Sequence, residues 1–215
     1  VARQAKAAKS LNTKQVRDAE ATQAMILAAA QEEFAQHGLT AARTEAIAAK
    51  TGVAKSMIYY YFKDKEGLYQ AVLERSHSDL VQTSLQLDLD HLSPEAALQT
   101  FLTALLDCVS RNPKLPMIMF HEAVQNQGQY YKRSRSLSID KVLVNILERG
   151  VTTGAFRKLD PFQSAINIMG TCLFYFIGIG NIQHYPQGNK LLSKAMLEQH
   201  SQEAIALILA GVRKT

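Results

Sequence analysis

Apolar residues recur at spacings of three and four along almost the whole chain, and no segment alternates apolar and polar residues with period two. That pattern suits amphipathic helices and leaves no half-buried strand to build a sheet from. Leu27, Ala30 and Phe34 share one face of a first helix expected from about Ala19 to His37, and Gly38 follows where a left-handed residue would end it. Short helices are expected over Thr44–Thr51 and Lys55–Tyr61, separated by Gly52. Asp64 is placed to cap a long fourth helix bearing Leu68, Val72 and Leu73.

Ser93-Pro94 and Asp160-Pro161 each set a capping oxygen before a proline at the first helical position, where the missing N–H costs nothing. Leu98, Phe101, Leu102, Leu105 and Val109 follow the first, and Phe162, Ile166, Met169, Leu173, Phe176 and Ile177 the second. A shorter helix near Met117–Gln127 and a longer one near Tyr130–Arg149 lie between them. The last helix, Lys194–Arg213, follows the loop from His184 to Asn189. The fold class is therefore all-α, with about nine helices.

The 215 residues are 47% hydrophobic, enough for a core without disulfides or metals. Cys108 and Cys172 stand far apart in apolar stretches and read as buried free thiols of a reducing compartment. No apolar run approaches the roughly 18 residues of a membrane span. The basic beginning has no apolar segment behind it, so no secretory signal is expected, and a start at Val1 fits a missing or processed beginning. The net charge of +5 is unevenly placed: Arg3, Lys6, Lys9, Lys14 and Arg17 precede the first acid, Asp18. Residues 1–18 are expected to be a basic arm, flexible without a partner.

The stretch GVAKSMIYYYFKDKEGLY, from Gly52, concentrates tyrosines between lysines. Two short helices about a glycine turn, behind a longer packing helix, form a helix-turn-helix. Ile47, Val53 and Ile58 would seal its small core, leaving the second helix to present Lys55, Ser56, Met57, Tyr59, Tyr60 and Tyr61. Such a surface supplies donors for phosphates and base edges and flat faces for thymine methyls. Phe62 reads as core, and Tyr59 reads equally as core or contact. Lys65 sits at a helix N-terminus, where its charge opposes the macrodipole, so an external anion is the better explanation for it.

The run ILAAAQEEFAQHGLTAARTEAIAAKTGVAKSMIYYYFKDKEGLYQAVL resembles the DNA-binding head of the tetracycline-repressor-like (TetR/AcrR) bacterial regulators. The likeness covers roughly residues 19–75 and rests on the spacing of Phe34, Gly38, Ile47-Ala48, Gly52-Val53, Tyr59, Tyr61-Phe62, Lys65 and Leu68. In the body, GAFRKLDPFQSA is similar to the family's lead-in to its eighth helix. The resemblance implies a bacterial, cytoplasmic, nucleoid-associated homodimer that binds an operator in double-stranded DNA, usually as a repressor, and is released by a small-molecule effector. It divides the chain into a head at 19–66 and a ligand-binding, dimerising body at 67–215.

Carried over, the operator contacts fall on Thr44, Lys55, Ser56, Met57, Tyr59, Tyr60, Tyr61 and Lys65. Ala54 stands where a capping serine is usual, at a cost of about 1 kcal/mol. Met57 replaces a hydrogen-bonding or small residue, and Glu45 places an acid on the DNA side, facing solvent or a cytosine amino group.

The helices at Pro161–Gly180 and Lys194–Arg213 are expected to form a four-helix dimer interface, with Gly170 and Gly178 allowing close approach. A pocket among the middle helices would draw on Met117, Phe120, His121, Cys172 and Phe176, with Glu122 and Tyr175 as further polar candidates. Those residues suit a mainly apolar effector, although such stripes are more often core. Movement of the fourth helix would carry the signal to the head.

The six histidines show no metal-ligand spacing, and most are expected at the surface. Neither a GxSxG elbow nor a phosphate loop occurs, and Gly178-Ile-Gly180 lacks both a third glycine and a preceding strand. No cofactor or enzymatic activity is expected. The alternatives are a protein–protein module using the tyrosine-rich helix, or a helical enzyme with an incidental helix-turn-helix.

Overall fold

The computed structural model describes the backbone of residues 2–85, 87–131, 139–185 and 190–214, and the side chains of these except 2–17, 76–85, 139 and 140. The described residues form ten helices: α1 (Ala2–Ala41), α2 (Thr44–Thr51), α3 (Lys55–Phe62), α4 (Lys65–Leu85), α5 (Pro94–Arg111), α6 (Leu115–Asn126), α7 (Ile139–Thr152), α8 (Pro161–Ile177), α9 (Ile179–Ile182) and α10 (Lys194–Val212). The helix not expected is the four-residue α9, which continues α8 past Gly178.

The expected punctuation acts as its chemistry requires. Asp64 Oδ1 accepts from Gly67 N at 2.7 Å, Ser93 Oγ from Ala96 N at 3.3 Å, and Asp160 Oδ1 from Gln163 N at 2.7 Å. Gly52 ends α2 in the left-handed region at φ 69. Gly38 interrupts α1 with φ 67 and ψ −178, a conformation open to glycine alone, and one further turn runs on to Ala41. At its other end α1 begins at Ala2, so the backbone expected as a flexible arm continues the helix. The arm's basic side chains lie outside the described residues, as do residues 132–138 of the expected seventh helix, whose described part begins at Ile139.

Two apolar cores result. Ile26, Ala30, Phe34, Ile47, Ile58, Leu68 and Val72 join α1–α4 into a head, and Ile118 and Tyr130 enter it from the body side. Leu98, Leu102, Leu106, Leu143, Leu147, Cys172 and Ile208 unite α5, α7, α8 and α10 into the body. Leu68, Tyr69, Val72 and Leu73 thus anchor the first turns of α4, the connecting helix, in the head core. Phe34, Tyr69 and Tyr130 form a row of edge contacts across the junction, with centroids 4.9 and 5.5 Å apart. Each such contact contributes about 0.5–1.5 kcal/mol beyond its buried area.

Glu122 is 2% exposed and fastens this junction. Its carboxylate accepts from Tyr130 N (2.7 Å), Tyr131 N (3.3 Å) and Asn126 Nδ2 (2.7 Å). On the same interface Gln31 Nε2 donates to Asn112 Oδ1 at 2.6 Å, and Glu32 pairs with both Lys50 of α2 and Lys114 before α6. Elsewhere Arg149 donates to the carbonyls of Leu89, Asp90 and Leu92, holding the α4–α5 loop against α7.

Candidate nucleic-acid interface

Recognition chemistry at the head rests on a helix held firmly from behind. Ile58 is fully buried beneath α3, with Val53, Tyr61 and Phe62 packed at the edge of the same core. Rotating outward from that anchor, Lys55, Ser56, Met57, Tyr59 and Tyr60 are exposed, Tyr60 at 78%. Tyr61 leans on the core and is only half open, its ring edge-on to Tyr60 at 5.3 Å. Ala54 supplies no side-chain cap, as its methyl dictates.

Thr44 is 4% exposed, and its hydroxyl lies 3.2 Å from the Tyr59 hydroxyl. The Lys55 ammonium sits 5.5 Å from the centroid of the same ring and is paired with Glu45. Tyr59 is thereby fixed between α2 and the start of α3. Glu45 and Lys55 reinforce each other: their hydrogen bond holds the carboxyl below its usual range and raises the ammonium above its own.

Lys65 has partners within the chain. Its Nζ donates to the carbonyls of Thr40 (3.1 Å) and Ala42 (3.3 Å). Those oxygens lie at and just past the C-terminal end of α1, where the macrodipole favours a cation. The charge that looks misplaced on its own helix is well placed on another. Next to it, Lys63 occupies φ 70, ψ −56, and Asp64 N bonds back to Phe62 O at 2.8 Å. This is a γ-turn with positive φ, a rare and strained link. It leaves Lys63 exposed beside α3, and Arg43 is exposed just before α2. The sequence marked neither as a contact; their flanking of a reading helix was the available signal.

The body candidates differ in burial. Cys172 and Phe176 are core, Met117 and His121 are half-buried, and Phe120 faces outward. Burial pushes the Cys172 thiol up to about 12. Glu122 is consumed by the turn after α6, and the Tyr175 hydroxyl donates to Leu191 O at 2.8 Å. A cleft of about 1120 Å³ opens instead between α5 and α10, past Thr103, Asp107, Leu197 and Ile205, and none of the five pocket candidates lines it. His200 is half-buried rather than superficial, stacked on Tyr175 at 4.2 Å. Gly170 is open on the outer face of α8, whereas a side chain at Gly178 would meet Ile182 and the Phe174 carbonyl, so Gly178 serves packing within the chain. No helix of the described residues is long and apolar enough to cross a membrane, and none of their His, Cys, Asp and Glu side chains cluster to hold a metal.

Residues 26–72 match the family described as bacterial regulatory proteins, tetR family, and residues 94–208 match the tetracyclin repressor-like C-terminal domain. The chain belongs to the TetR family. It is thus a DNA-binding transcriptional regulator rather than an enzyme, of a family that binds operators and effectors.

Among relatives, it is 34% identical over 163 residues to the HTH-type transcriptional repressor NicS of Pseudomonas putida, covering 73% of this chain and 76% of that one. It is 37% identical to the HTH-type transcriptional repressor SCO4008 of Streptomyces coelicolor, over 51% of this chain and 53% of the relative. Similar solved structures include the ketosteroid transcriptional regulator KstR2 of Mycobacterium tuberculosis, at TM-score 0.70 and 22% identity, covering 90% of this chain and 95% of that one. The TetR family transcriptional regulator PfmR of Thermus thermophilus has TM-score 0.67 and 21% identity, with 88% and 96% covered. At these identities the two structures speak for the fold alone.

Proposed function

We propose that the protein is a homodimeric repressor in the bacterial cytoplasm that reads its operator with α3 and is released by a small, mainly apolar effector. The observation that carries this reading is the outward row Lys55, Ser56, Met57, Tyr59 and Tyr60 above a buried Ile58. Lys and Ser supply donors, Met57 an apolar contact for a thymine methyl, and Tyr60 both in one rigid side chain. Tyr61 contributes from its open edge. Thr44 acts by holding Tyr59, and Lys65 by joining α4 to the end of α1 while adding positive charge near the phosphates.

The head is proposed over residues 19–66 and the body over 67–215, with α4 as the connection between them. Phe162, Ile166 and Phe174 form an exposed apolar stripe on α8, interrupted by the open Gly170. Paired with Leu207 on α10, which is also exposed, this stripe supports a two-fold interface. Two reading helices could then meet half-sites about one DNA turn, roughly 34 Å, apart.

For the effector, the support is the body's composition. Glu122 is the buried charged side chain among the described residues, and three donors already occupy it. A ligand among Met117, Phe120, His121, Cys172 and Phe176 would meet apolar walls. It acts by favouring the arrangement of α4 that DNA disfavours.

Selection of genomic fragments by the purified protein, followed by affinity measurements across salt, tests the reading. Affinity for the selected duplex should fall steeply with salt, because several phosphates are contacted per half-site. Tyr60→Ala, a change at an exposed position, should abolish selection while leaving the dimer intact in sedimentation. Normal binding by that variant, or salt-independent affinity, would overturn the reading.

A further inference from the structure

Glu45 makes none of the proposed operator contacts, yet it is held beside the start of the reading helix. It stands in the first turn of α2, 65% exposed, and accepts a hydrogen bond from Lys55 Nζ. Lys55 opens α3, and the N-terminal residues of a recognition helix are those that reach base edges and neighbouring phosphates. The carboxylate is not adrift in solvent. Lys55 packs toward the Tyr59 ring, and Tyr59 is fixed by Thr44, so the acid is part of an ordered row. Arg43 is a further positive charge acting on it.

Stability gives little reason for the pair. Both partners are well exposed, and ion pairs between exposed side chains contribute at most about 1 kcal/mol. DNA binding gives a stronger one. When a duplex approaches, Lys55 can remain with Glu45 and neutralise no phosphate, or leave and expose a bare carboxylate to a polyanion. Either way, one productive phosphate contact per head is forfeited on arbitrary DNA. The exception is a site that offers Glu45 its own donor, and the cytosine N4 amino group in the major groove is the base-edge donor that suits a carboxylate.

We propose that Glu45 is a specificity-determining residue: it restrains Lys55, weakens attachment to DNA at large, and is relieved at operators that place an amino donor beside the start of α2. The proposal rests on α3 being the reading helix, and its test separates the two. Wild type, Glu45→Gln, Glu45→Gln/Lys55→Met and Glu74→Gln are compared by fluorescence anisotropy across about 50–300 mM KCl. The last removes an exposed acid from α4, two turns beyond Lys65, and matches the change in net charge. The probes are a random-sequence duplex of about 30 base pairs, near three helical turns, and the duplex most enriched by the wild-type protein.

Glu45→Gln should bind the random duplex about tenfold more tightly near 150 mM salt, with a log–log salt slope steeper by about one to two, as one freed lysine per head predicts. Its affinity for the enriched duplex should change by less than about threefold, so discrimination between the two collapses. Adding Lys55→Met should return the random-duplex affinity to the wild-type level, and Glu74→Gln should change neither. Unchanged random-duplex affinity and slope in Glu45→Gln, an equal gain on both duplexes, or a gain that survives Lys55→Met would overturn the proposal. Wild type that binds neither duplex would overturn the reading beneath it as well.

Discussion

Glu122→Ala should be among the most damaging single changes to this protein outside its apolar core. The side chain is buried and accepts three hydrogen bonds, two of them at 2.7 Å. Hydrogen bonds to a charged partner each contribute about 1.5–3 kcal/mol net, and the one at 3.3 Å less. Truncation also deprives the buried N–H of Tyr130 of this acceptor, while water entering the vacated space offsets part of the loss. The expected destabilisation is about 4 kcal/mol, a large share of the roughly 5–15 kcal/mol available to a domain.

Glu122→Gln keeps one acceptor for the backbone donors and lets Asn126 turn its amide to meet the new NH₂, so about 1 kcal/mol is expected. Urea unfolding followed by circular dichroism measures both. The Tyr130 ring packs on Tyr69 at the head–body junction, so the alanine variant should also lose cooperativity, seen as a shallower transition. A loss below about 1 kcal/mol for alanine, or equal losses for both variants, would refute the assigned role.

Gly67→Ala should cost about 2 kcal/mol or more, because the added methyl would stand 2.1 Å from the Phe62 carbonyl oxygen, a backbone atom that cannot step aside; thermal melting checks it. Tyr69→Phe should leave stability unchanged or raise it by up to about 1 kcal/mol, since the buried Tyr69 hydroxyl makes no hydrogen bond among the described residues; a loss on urea unfolding would show a hidden partner. Burial, with Glu122 nearby adding to it, already pushes that phenol upward. Burial also lowers the His200 pKa below 6.5, so below that pH the unfolded chain binds the proton more readily than the folded one. Stability should therefore fall as pH drops from 6.5 to the folded value and then level, and His200→Gln should flatten that slope in melts recorded across the window.

Local chemistry made the helix-turn-helix legible. Gly52, Ile47 and Ile58 speak through spacings of a few residues, and α2 runs from Thr44 to Thr51 as its glycine stop requires. The caps at Asp64, Ser93 and Asp160 were readable for the same reason. The partners of Lys65 were not readable, because the carbonyls of Thr40 and Ala42 lie at and just past the end of a helix more than twenty residues earlier. The Glu45–Lys55 pair spans ten residues and two helices, beyond any helical repeat. Glu122 resembled a pocket handle because an acid within a methionine-and-aromatic stripe can serve either a ligand or a neighbouring turn. Only the packed backbone of Tyr130 decides that. The α5–α10 cleft depends on how far two helices splay, which neither sequence encodes alone.

The side chain that Gly38 lacks leaves the place where Gln125 of α6 comes to rest; a Cβ there would lie 2.1 Å from the Gln125 amide oxygen. The Gln125 amide lodged against Gly38 thus joins the Gln31–Asn112 and Glu32–Lys114 pairs in setting the inclination of the head upon the body. A bulkier residue at position 125 should therefore shift the tilt of α1 on α6 while leaving the exposed side chains of α3 in place.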